Sequence, residues 1–162
     1  MNVAVISDTH LPHARRALPP ACVKAMRAAD LIVHAGDIST AAVLAELTRL
    51  GPPVRAVHGN VDEPDLRREL PGELQLTLGA LTIAVIHDAG PARGRLARLR
   101  RRFPRAGAVI FGHSHMPLHE LDEEGFQIFN PGSPTVRRRA PGHTMGIARV
   151  TGGSLSFEHV LL

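Results

Sequence analysis

Short apolar runs alternate with longer amphipathic stretches over the first two-thirds of the chain. The runs are rich in valine, isoleucine and leucine and end at glycine, proline or polar residues, which is typical of buried strands. The stretches between them place apolar residues at helical spacing and begin at proline or at a capping Ser or Thr. The predicted strands are 2–6, 31–35, 54–57, 74–78, 81–86 and 108–111, and the predicted helices are 19–29, 40–50 and 91–103.

After residue 117 the pattern changes to short strands joined by tight turns. Residues 123–125 (Glu-Glu-Gly) and 151–153 (Thr-Gly-Gly) are turn signals, and 130–133 (Asn-Pro-Gly-Ser) is predicted to be a loop. The last third is therefore expected to form a β-meander. No internal repeat, low-complexity segment or linker interrupts the sequence, so it predicts one α/β domain over residues 1–162.

Ligand-type side chains follow the predicted strands. In 110–117 (Ile-Phe-Gly-His-Ser-His-Met-Pro), one residue separates His113 from His115, and Asp8 and His10 repeat this spacing after the first strand. On an extended backbone, two such side chains point to the same side. Neutral imidazole is a common ligand of transition metals. A single His-x-His motif is equally compatible with a polar turn, but the other strands also end in ligand-type residues, which favours a metal site.

These candidate ligands lie just past the carboxyl ends of strands, where α/β sheets build their sites. They are Asp8, His10, Asp37, Asn60, His87, His113 and His115. This set is larger than one catalytic ion requires and suits two ions about 3.5–4 Å apart, with one carboxylate bridging them. Because no thiolate is present in the set, the expected cofactor is a pair of divalent transition-metal ions. Manganese is the first expectation, with iron, zinc, cobalt and nickel as alternatives. The other histidines are interpreted as surface or core residues: His13, His34, His58, His119, His143 and His159.

Composition narrows the function classes. No apolar stretch approaches the ~20 residues of a spanning helix, so no membrane partner is expected. Cys22 is the single cysteine, which excludes an intramolecular disulfide and fits a cytoplasmic protein. The net charge is +4, and 18 of the 19 basic residues are arginine, which suits phosphate recognition. With no Trp or Tyr and five Phe, the chain has little on which to stack the bases of a long single strand.

The candidate ligands also form a recognisable series. Asp8-x-His10, Gly36-Asp37, Gly59-Asn60, His87 and Gly112-His113-x-His115 resemble, in this order, the signature of the calcineurin-like metallophosphoesterases. The resemblance is strongest to the small single-domain YfcE-like phosphodiesterases, and it spans residues 2–134, including the loop at 130–133. It implies a sandwich of two mixed β-sheets flanked by helices, an αββα arrangement, with a dinuclear metal site at the strand ends.

The resemblance also assigns roles. It implies that one metal is held by Asp8, His10, Asp37 and His115, and the other by Asp37, Asn60, His87 and His113. Asn60 and His113 are expected to act in catalysis as well as in metal binding. The sequence departs from many superfamily members at Val61, where they carry a histidine that contacts the phosphate or protonates the leaving oxygen. It also departs at Asp88-Ala89-Gly90, where glycine and then histidine are common.

The expected function is hydrolysis of a small phosphodiester or nucleotide by a water activated between the two ions. Arg137 or Arg139, which follow the 130–133 loop, are expected to bind the substrate. One alternative is a catalytically weak scaffold that binds a protein partner, as the retromer subunit of similar fold does. Another is a nucleic-acid phosphodiesterase that uses the arginines of 93–105, although a modest net charge makes nucleic acid the weaker expectation. Assembly into a homo-oligomer is left open.

Overall fold

The computed structural model describes residues 1–12 and 17–162. The strands are β1 (Asn2–Ile6), β2 (Leu31–Ala35), β3 (Val54–Val57), β4 (Glu73–Leu78), β5 (Leu81–Ile86), β6 (Ala108–Ile110), β7 (Leu118–Leu121), β8 (Gln127–Asn130), β9 (Thr144–Thr151) and β10 (Ser154–Leu161). The helices are α1 (Pro20–Arg27), α2 (Ala41–Thr48), α3 (Pro64–Glu69) and α4 (Arg95–Arg102).

The described strands form two five-stranded mixed sheets. The first has the order β10-β9-β1-β2-β3 and the second the order β4-β5-β6-β8-β7. In the first sheet β1, β2 and β3 run parallel, while β9 is antiparallel to β1. In the second, β5, β6 and β8 run parallel, with β4 and β7 antiparallel at the edges. The predicted sandwich of two mixed sheets is confirmed.

Alternation of side chains explains why the central strands read as continuous apolar runs. Val3 and Val5 of β1 pack into the core between the sheets, whereas Ala4 and Ile6 face a second apolar cluster that contains Cys22 and Met26 of α1 and Leu47 of α2. In the same way the outer face of the second sheet packs against Leu99 of α4. Both faces of each central strand are covered, so neither face is polar.

The three predicted helices are found at the predicted positions, but the observed helices are shorter. The side chain of Thr40 caps α2, accepting a hydrogen bond from the backbone N–H of Val43 at 3.3 Å. The fourth helix begins only at Arg95, because Gly94 adopts a left-handed φ of 66° and the residues before it form a turn. The short helix α3 (Pro64–Glu69) was not predicted. Its one buried side chain, Leu66, is too little apolar content to produce a helical pattern.

The prediction of one β-meander in the last third is wrong. Strands β7 and β8 form a hairpin in the second sheet, where β8 also runs parallel to β6. Strands β9 and β10 form a second hairpin that crosses to the first sheet, where β9 pairs with β1. The crossing buries Met145 and Ala148. This burial depends on a strand far away in the chain, so no local sequence pattern predicts it. None of the described helices is long and apolar enough to cross a membrane.

Candidate metal centre

The candidate ligands lie in five loops that follow β1, β2, β3, β5 and β6. The expectation that they sit on extended backbone is wrong for most of them. A left-handed φ between 48° and 67° is found at Asp8, His10, Asp37, His113 and His115. Asp and His tolerate this region better than most residues, but holding it costs about 1–3 kcal/mol per residue. Such strain persists only where surrounding contacts fix the backbone, and here it concentrates on the candidate site.

Two of the motif glycines, Gly59 and Gly112, lie where the ligand loops approach each other too closely for a side chain. A Cβ added to Gly59 would lie 2.0 Å from Asp37 Oδ1, and a Cβ added to Gly112 would lie 1.9 Å from Ser7 Oγ and 2.7 Å from Asp8 Oδ2. A side chain at either position would displace a candidate ligand. The glycine that precedes Asn60 and the one that precedes His113 therefore allow the loops to meet.

A first group of donor atoms is formed by Asp8, His10 and His115. The Nε2 atoms of His10 and His115 are 3.1 Å apart, and Asp8 Oδ1 lies 3.4 Å from His115 Nε2 and 4.0 Å from His10 Nε2. Ligands bound to one ion at about 2.0–2.2 Å are separated by roughly 3.0–3.5 Å. The spacing within this group therefore fits a shared ion.

A second group is formed by Asn60, His87 and His113. Asn60 Oδ1 lies 3.1 Å from His87 Nε2 and 3.0 Å from His113 Nδ1. Asp37 lies between the two groups, with its Oδ2 3.3 Å from His87 Nε2 and 3.6 Å from His10 Nε2. The loops thus bring all seven predicted residues together, and Asp8 lies within 4.8 Å of Asp37 and His87 as well as of the first group.

Hydrogen bonds to backbone carbonyls fix which imidazole nitrogens face the site. His87 Nδ1 lies 2.8 Å from the carbonyl oxygen of Ala35, and His115 Nδ1 contacts the carbonyl oxygen of Val136. Each Nδ1 must carry a proton, since a carbonyl only accepts. In the neutral rings each Nε2 therefore presents a lone pair. These lone pairs face the carboxylates of Asp37 and Asp8, so either a proton on the ring or a metal ion is needed between the two acceptors. The donor set therefore fits divalent metal ions.

The pKa values of the donor groups reflect the same shortage of positive charge. Burial raises the pKa of Asp8 to about 7, although His87 and the Ser7 hydroxyl counteract it. Burial acts to raise the pKa of Asp37 as well, but its hydrogen bond and ion pair with His87 outweigh this and hold the pKa below its ordinary value. The pKa of His87 is raised despite burial by the same pair. Burial lowers the pKa of His115 to about 4, so that ring is neutral and available as a ligand.

Several buried side chains that hold the ligand loops were not recognised from the sequence as functional. Asp62 accepts hydrogen bonds from the backbone N–H groups of Ser39 at 2.6 Å and Gly59 at 2.7 Å, joining the loops after β2 and β3. Ser133 donates to the carbonyl of Asp8 at 2.7 Å, and Thr135 donates to that of Thr9 at 2.6 Å. The sequence did point to the 130–133 loop, because it resembles a loop of the family. Its part in holding the ligand loops in place was not predicted.

The arginines after this loop are arranged differently from the expectation. An extended chain would direct Arg137 and Arg139 to one side, but Arg138 has a φ of 47° and the segment turns. Arg137 donates to the carbonyl of Ala140 at 3.0 Å within its own turn. Arg138 instead reaches the carbonyl of His113 at 3.4 Å, and its charge contributes to lowering the pKa of His10 and of His115. The structure therefore places Arg138, rather than Arg137, against the candidate centre.

The histidines interpreted as structural have partners consistent with that role. His34 is buried 3.1 Å from Thr9 Oγ1, His159 Nε2 lies 2.8 Å from the carbonyl of Asn130, and His119 Nε2 lies 2.8 Å from Gln127 Oε1. His58 was also interpreted as a surface or core residue, but it lines a cleft beside Asn60. His13 lies outside the described residues.

Replacing Asp8 with asparagine is expected to stabilise the metal-free protein at alkaline pH. The folded-state pKa of Asp8, about 7, exceeds its ordinary value, so folding becomes less favourable as pH rises from about 4 to about 7. An amide can keep the bonds from Ser7 and His113 N–H and donate to His115 Nε2. In chelator-treated protein, Asp8→Asn should raise the unfolding midpoint at pH 8 by about 3–6 °C, for roughly 1–2 kcal/mol.

The comparison between pH 4.5 and pH 8 isolates this carboxyl group, because the other titrating groups are common to both proteins. The gain should be small at pH 4.5, where Asp8 is largely protonated. Asp88→Asn, at an exposed carboxylate, should show no such difference. An equal gain for Asp8→Asn at both pH values would contradict the burial of an ionising carboxylate here.

Comparison with known proteins agrees with the fold and with the family that the series of candidate ligands resembles. The family described as the calcineurin-like phosphoesterase superfamily domain matches residues 1–153. A probable metallophosphoesterase of Methanothermobacter thermautotrophicus is 36% identical over 161 residues, covering 98% of this chain and 91% of the relative. Among solved structures, wild-type Vps29 from Entamoeba histolytica, complexed with zinc, has a TM-score of 0.79 at 23% identity over 99% of both chains. An archaeal phosphodiesterase has a TM-score of 0.75 at 20% identity over 100% of both.

Proposed function

The chain belongs to the calcineurin-like phosphoesterase superfamily, and from this premise we propose that it is a phosphodiesterase that hydrolyses small phosphodiesters at a dinuclear metal centre. Membership supports a hydrolase that acts on phosphoester bonds with divalent metals. The preference for diesters, the pair of ions and the choice of manganese are parts of the proposal. The likeness to the archaeal phosphodiesterase is consistent with the preference for diesters.

The position of Asp37 is the observation that carries the dinuclear proposal. Its Oδ2 lies within 3.6 Å of a nitrogen donor from each group. Asp8 Oδ1 lies 3.4 Å from His115 Nε2 of the first group, and Asp8 is within 4.8 Å of His87, while Asn60 Oδ1 contacts the second group. Asp8, His10, Asp37 and His115 would hold one ion, and Asp37, Asn60, His87 and His113 the other. When bound, two divalent ions supply Lewis acidity that lowers the pKa of a water and neutralises charge on the phosphate.

The chain itself contributes a fixed arrangement of donors and an open face. Backbone carbonyls orient the rings of His87 and His115, so the site needs little reorganisation when charge develops. Asn60 is exposed and His113 is half-buried, which places these two predicted catalytic residues at the accessible side. A substrate phosphate approaching from solvent therefore meets them before the buried carboxylates.

Val61 supplies no proton to the leaving group. Its backbone N–H donates to Asp37 Oδ1 at 3.1 Å, and its side chain is 46% exposed beside Asn60. An aliphatic side chain at this position can neither donate a proton nor contact phosphate through a hydrogen bond. The leaving oxygen is then expected to depart with its charge or to take a proton from water or from His58, which lines the cleft beside Asn60.

The proposal predicts a steep dependence of rate on the leaving group. Across a series of aryl and alkyl phosphodiesters assayed with Mn²⁺, Ni²⁺ and Zn²⁺, kcat/KM should fall strongly as the pKa of the leaving alcohol rises. Val61→His should reduce that slope and raise the turnover of phosphomonoesters, since general-acid catalysis typically contributes about 10²–10⁴-fold.

Val61→Gln is the matched control, because it adds a polar side chain that cannot act as an acid. It should leave the slope unchanged. Efficient cleavage of alkyl monoesters by the unmodified enzyme would show that another residue supplies the proton. No hydrolysis of any diester with any of the three metals would remove the proposed function.

The two alternative functions receive less support from the site. A scaffold that binds a protein partner remains suggested by the Vps29-like fold, yet a complete set of converging donors is what a metal-dependent enzyme requires. Hydrolysis of phosphodiesters by the metal-loaded protein separates these two, since metal content alone does not: the Vps29 neighbour is itself complexed with zinc. A nucleic-acid substrate would use the arginines on α4, but Arg100 pairs with Asp122 and Glu124, and Arg98 donates to backbone carbonyls, which reduces the number available.

A further inference from the structure

We propose that a cleft beside the second donor group binds a second anionic group of the substrate, so that the preferred diesters carry a phosphate on one ester substituent. This inference rests on the proposed phosphodiesterase function and names the class of diester. The cleft has a volume of about 330 Å³. That space is at the lower end of the range for small-molecule sites and suits a short phosphorylated substituent.

The cleft adjoins the candidate metal centre directly. Asn60, His87 and His113 of the second donor group contribute to its wall, and Arg67 and Arg102 contribute from α3 and α4. A diester phosphate at the metal centre would therefore extend one of its substituents towards two guanidinium groups. Arginine binds phosphate through two parallel hydrogen bonds, which makes a terminal phosphate the group best matched to this wall.

The two arginines differ in how they are held. The side chain of Arg67 makes no hydrogen bond or ion pair within the described residues, so all its donors face the cleft or solvent. Arg102 donates to Glu73 Oε2 at 2.7 Å, and its guanidinium lies 5.1 Å from the centre of the Phe103 ring. These contacts orient Arg102 while most of its five N–H donors stay available. Arg102 is therefore held in place before a ligand binds, whereas Arg67 is free to adjust its side-chain conformation to the ligand.

The remaining lining argues for a charged substituent rather than a nucleobase. Among the described residues that line the cleft there is no Phe, Tyr or Trp, so a base would find no large aromatic ring on which to stack. Asp88 also lines the cleft, but its Oδ1 accepts the backbone N–H of Gly90 at 2.7 Å. The lining holds two guanidinium groups and this one carboxylate. Glu73, which pairs with Arg102, lies outside the lining, so the lining itself favours an anion.

The test uses two matched diesters, p-nitrophenyl 2-methoxyethyl phosphate and p-nitrophenyl 2-(phosphonooxy)ethyl phosphate, neither of which has a free hydroxyl that could displace nitrophenolate from within the molecule. Release of nitrophenolate reports cleavage of the diester bond in both. The metal-loaded enzyme should prefer the phosphorylated diester in kcat/KM. Arg67→Gln and Arg102→Gln should each reduce this preference about three- to tenfold, the range expected for solvent-exposed charge contacts. The preference should also shrink as ionic strength rises.

Arg68→Gln and Arg101→Gln are the matched controls, since each is the neighbour of a test residue on the same helix and lies outside the cleft lining. Both should keep the preference. Direct binding of ethylene glycol bisphosphate, measured by calorimetry on the same variants, gives a readout independent of turnover. Equal rates on both diesters, or a preference that survives in both cleft variants, would overturn the subsite and leave the phosphodiesterase intact. Loss of bisphosphate binding in the cleft variants of a protein that cleaves neither diester would support the subsite and reject the activity.

Discussion

Asp37→Asn is expected to abolish most of the activity and to lower the metal content of the protein from two ions towards one or none. Asp37 Oδ1 accepts the backbone N–H of Val61, so an asparagine oxygen is expected to keep that bond. Its NH2 group would then occupy the position of Oδ2, between His10 and His87. A donor group in the bridging position cannot bind a cation. Removing one partner from a buried charged network typically costs about 3–5 kcal/mol, so kcat should fall at least about a hundredfold.

Asn60→Ala provides the comparison within the same site. Asn60 is exposed and contributes one neutral oxygen to one donor group, so its loss should reduce activity less, by about tenfold. Metal content by elemental analysis and kcat should be measured together on both variants, with Glu123→Gln, at an exposed carboxylate, as the control. Full metal loading and full activity in Asp37→Asn would rule out a bridging carboxylate and with it the dinuclear centre.

Arg138→Ala is expected to produce the largest loss among the arginines that follow the 130–133 loop. Arg138 is exposed, its guanidinium reaches the carbonyl of His113, and its charge influences His10 and His115. It is therefore placed to contact a phosphate at the candidate centre. A charge-assisted contact of this kind contributes about 1.5–3 kcal/mol, so kcat/KM should fall roughly ten- to a hundredfold, mainly through KM. Alanine keeps the Cβ, so the strained backbone is little altered.

The neighbouring arginines distinguish this expectation from the one based on sequence. Arg137→Ala removes a contact within its own turn, and it should change kinetics little, as should Arg139→Ala. Arg138→Lys should recover part of the loss because it retains the charge without the planar fork. Unchanged metal content in Arg138→Ala would separate substrate binding from metal binding. A normal Arg138→Ala enzyme beside an impaired Arg137 or Arg139 variant would restore the original assignment.

The sequence by itself determined the strands that are buried on both faces and the chemistry collected at their ends. Val3, Val5, Ala4 and Ile6 are all apolar because they face two different layers, so the strand was visible without knowledge of its neighbours. The seven candidate ligands could also be identified from the sequence. A carboxylate, amide or imidazole follows each of five strands, and few functions other than metal binding require this pattern. These properties are local, because each depends only on the types and order of neighbouring residues in the sequence.

Only the tertiary structure decided how those ligands are divided and what surrounds them. His113 and His115 are two residues apart, yet they contribute to different donor groups, because left-handed backbone at both positions redirects the side chains. That backbone is held by contacts from distant segments, such as Ser133 to the carbonyl of Asp8 and Asn130 to the carbonyl of Gly112 at 2.8 Å. The placement of Arg138 and the pairing of β9 with β1 have the same origin. Each is stabilised by contacts between residues far apart in the chain, and no short sequence pattern encodes such contacts.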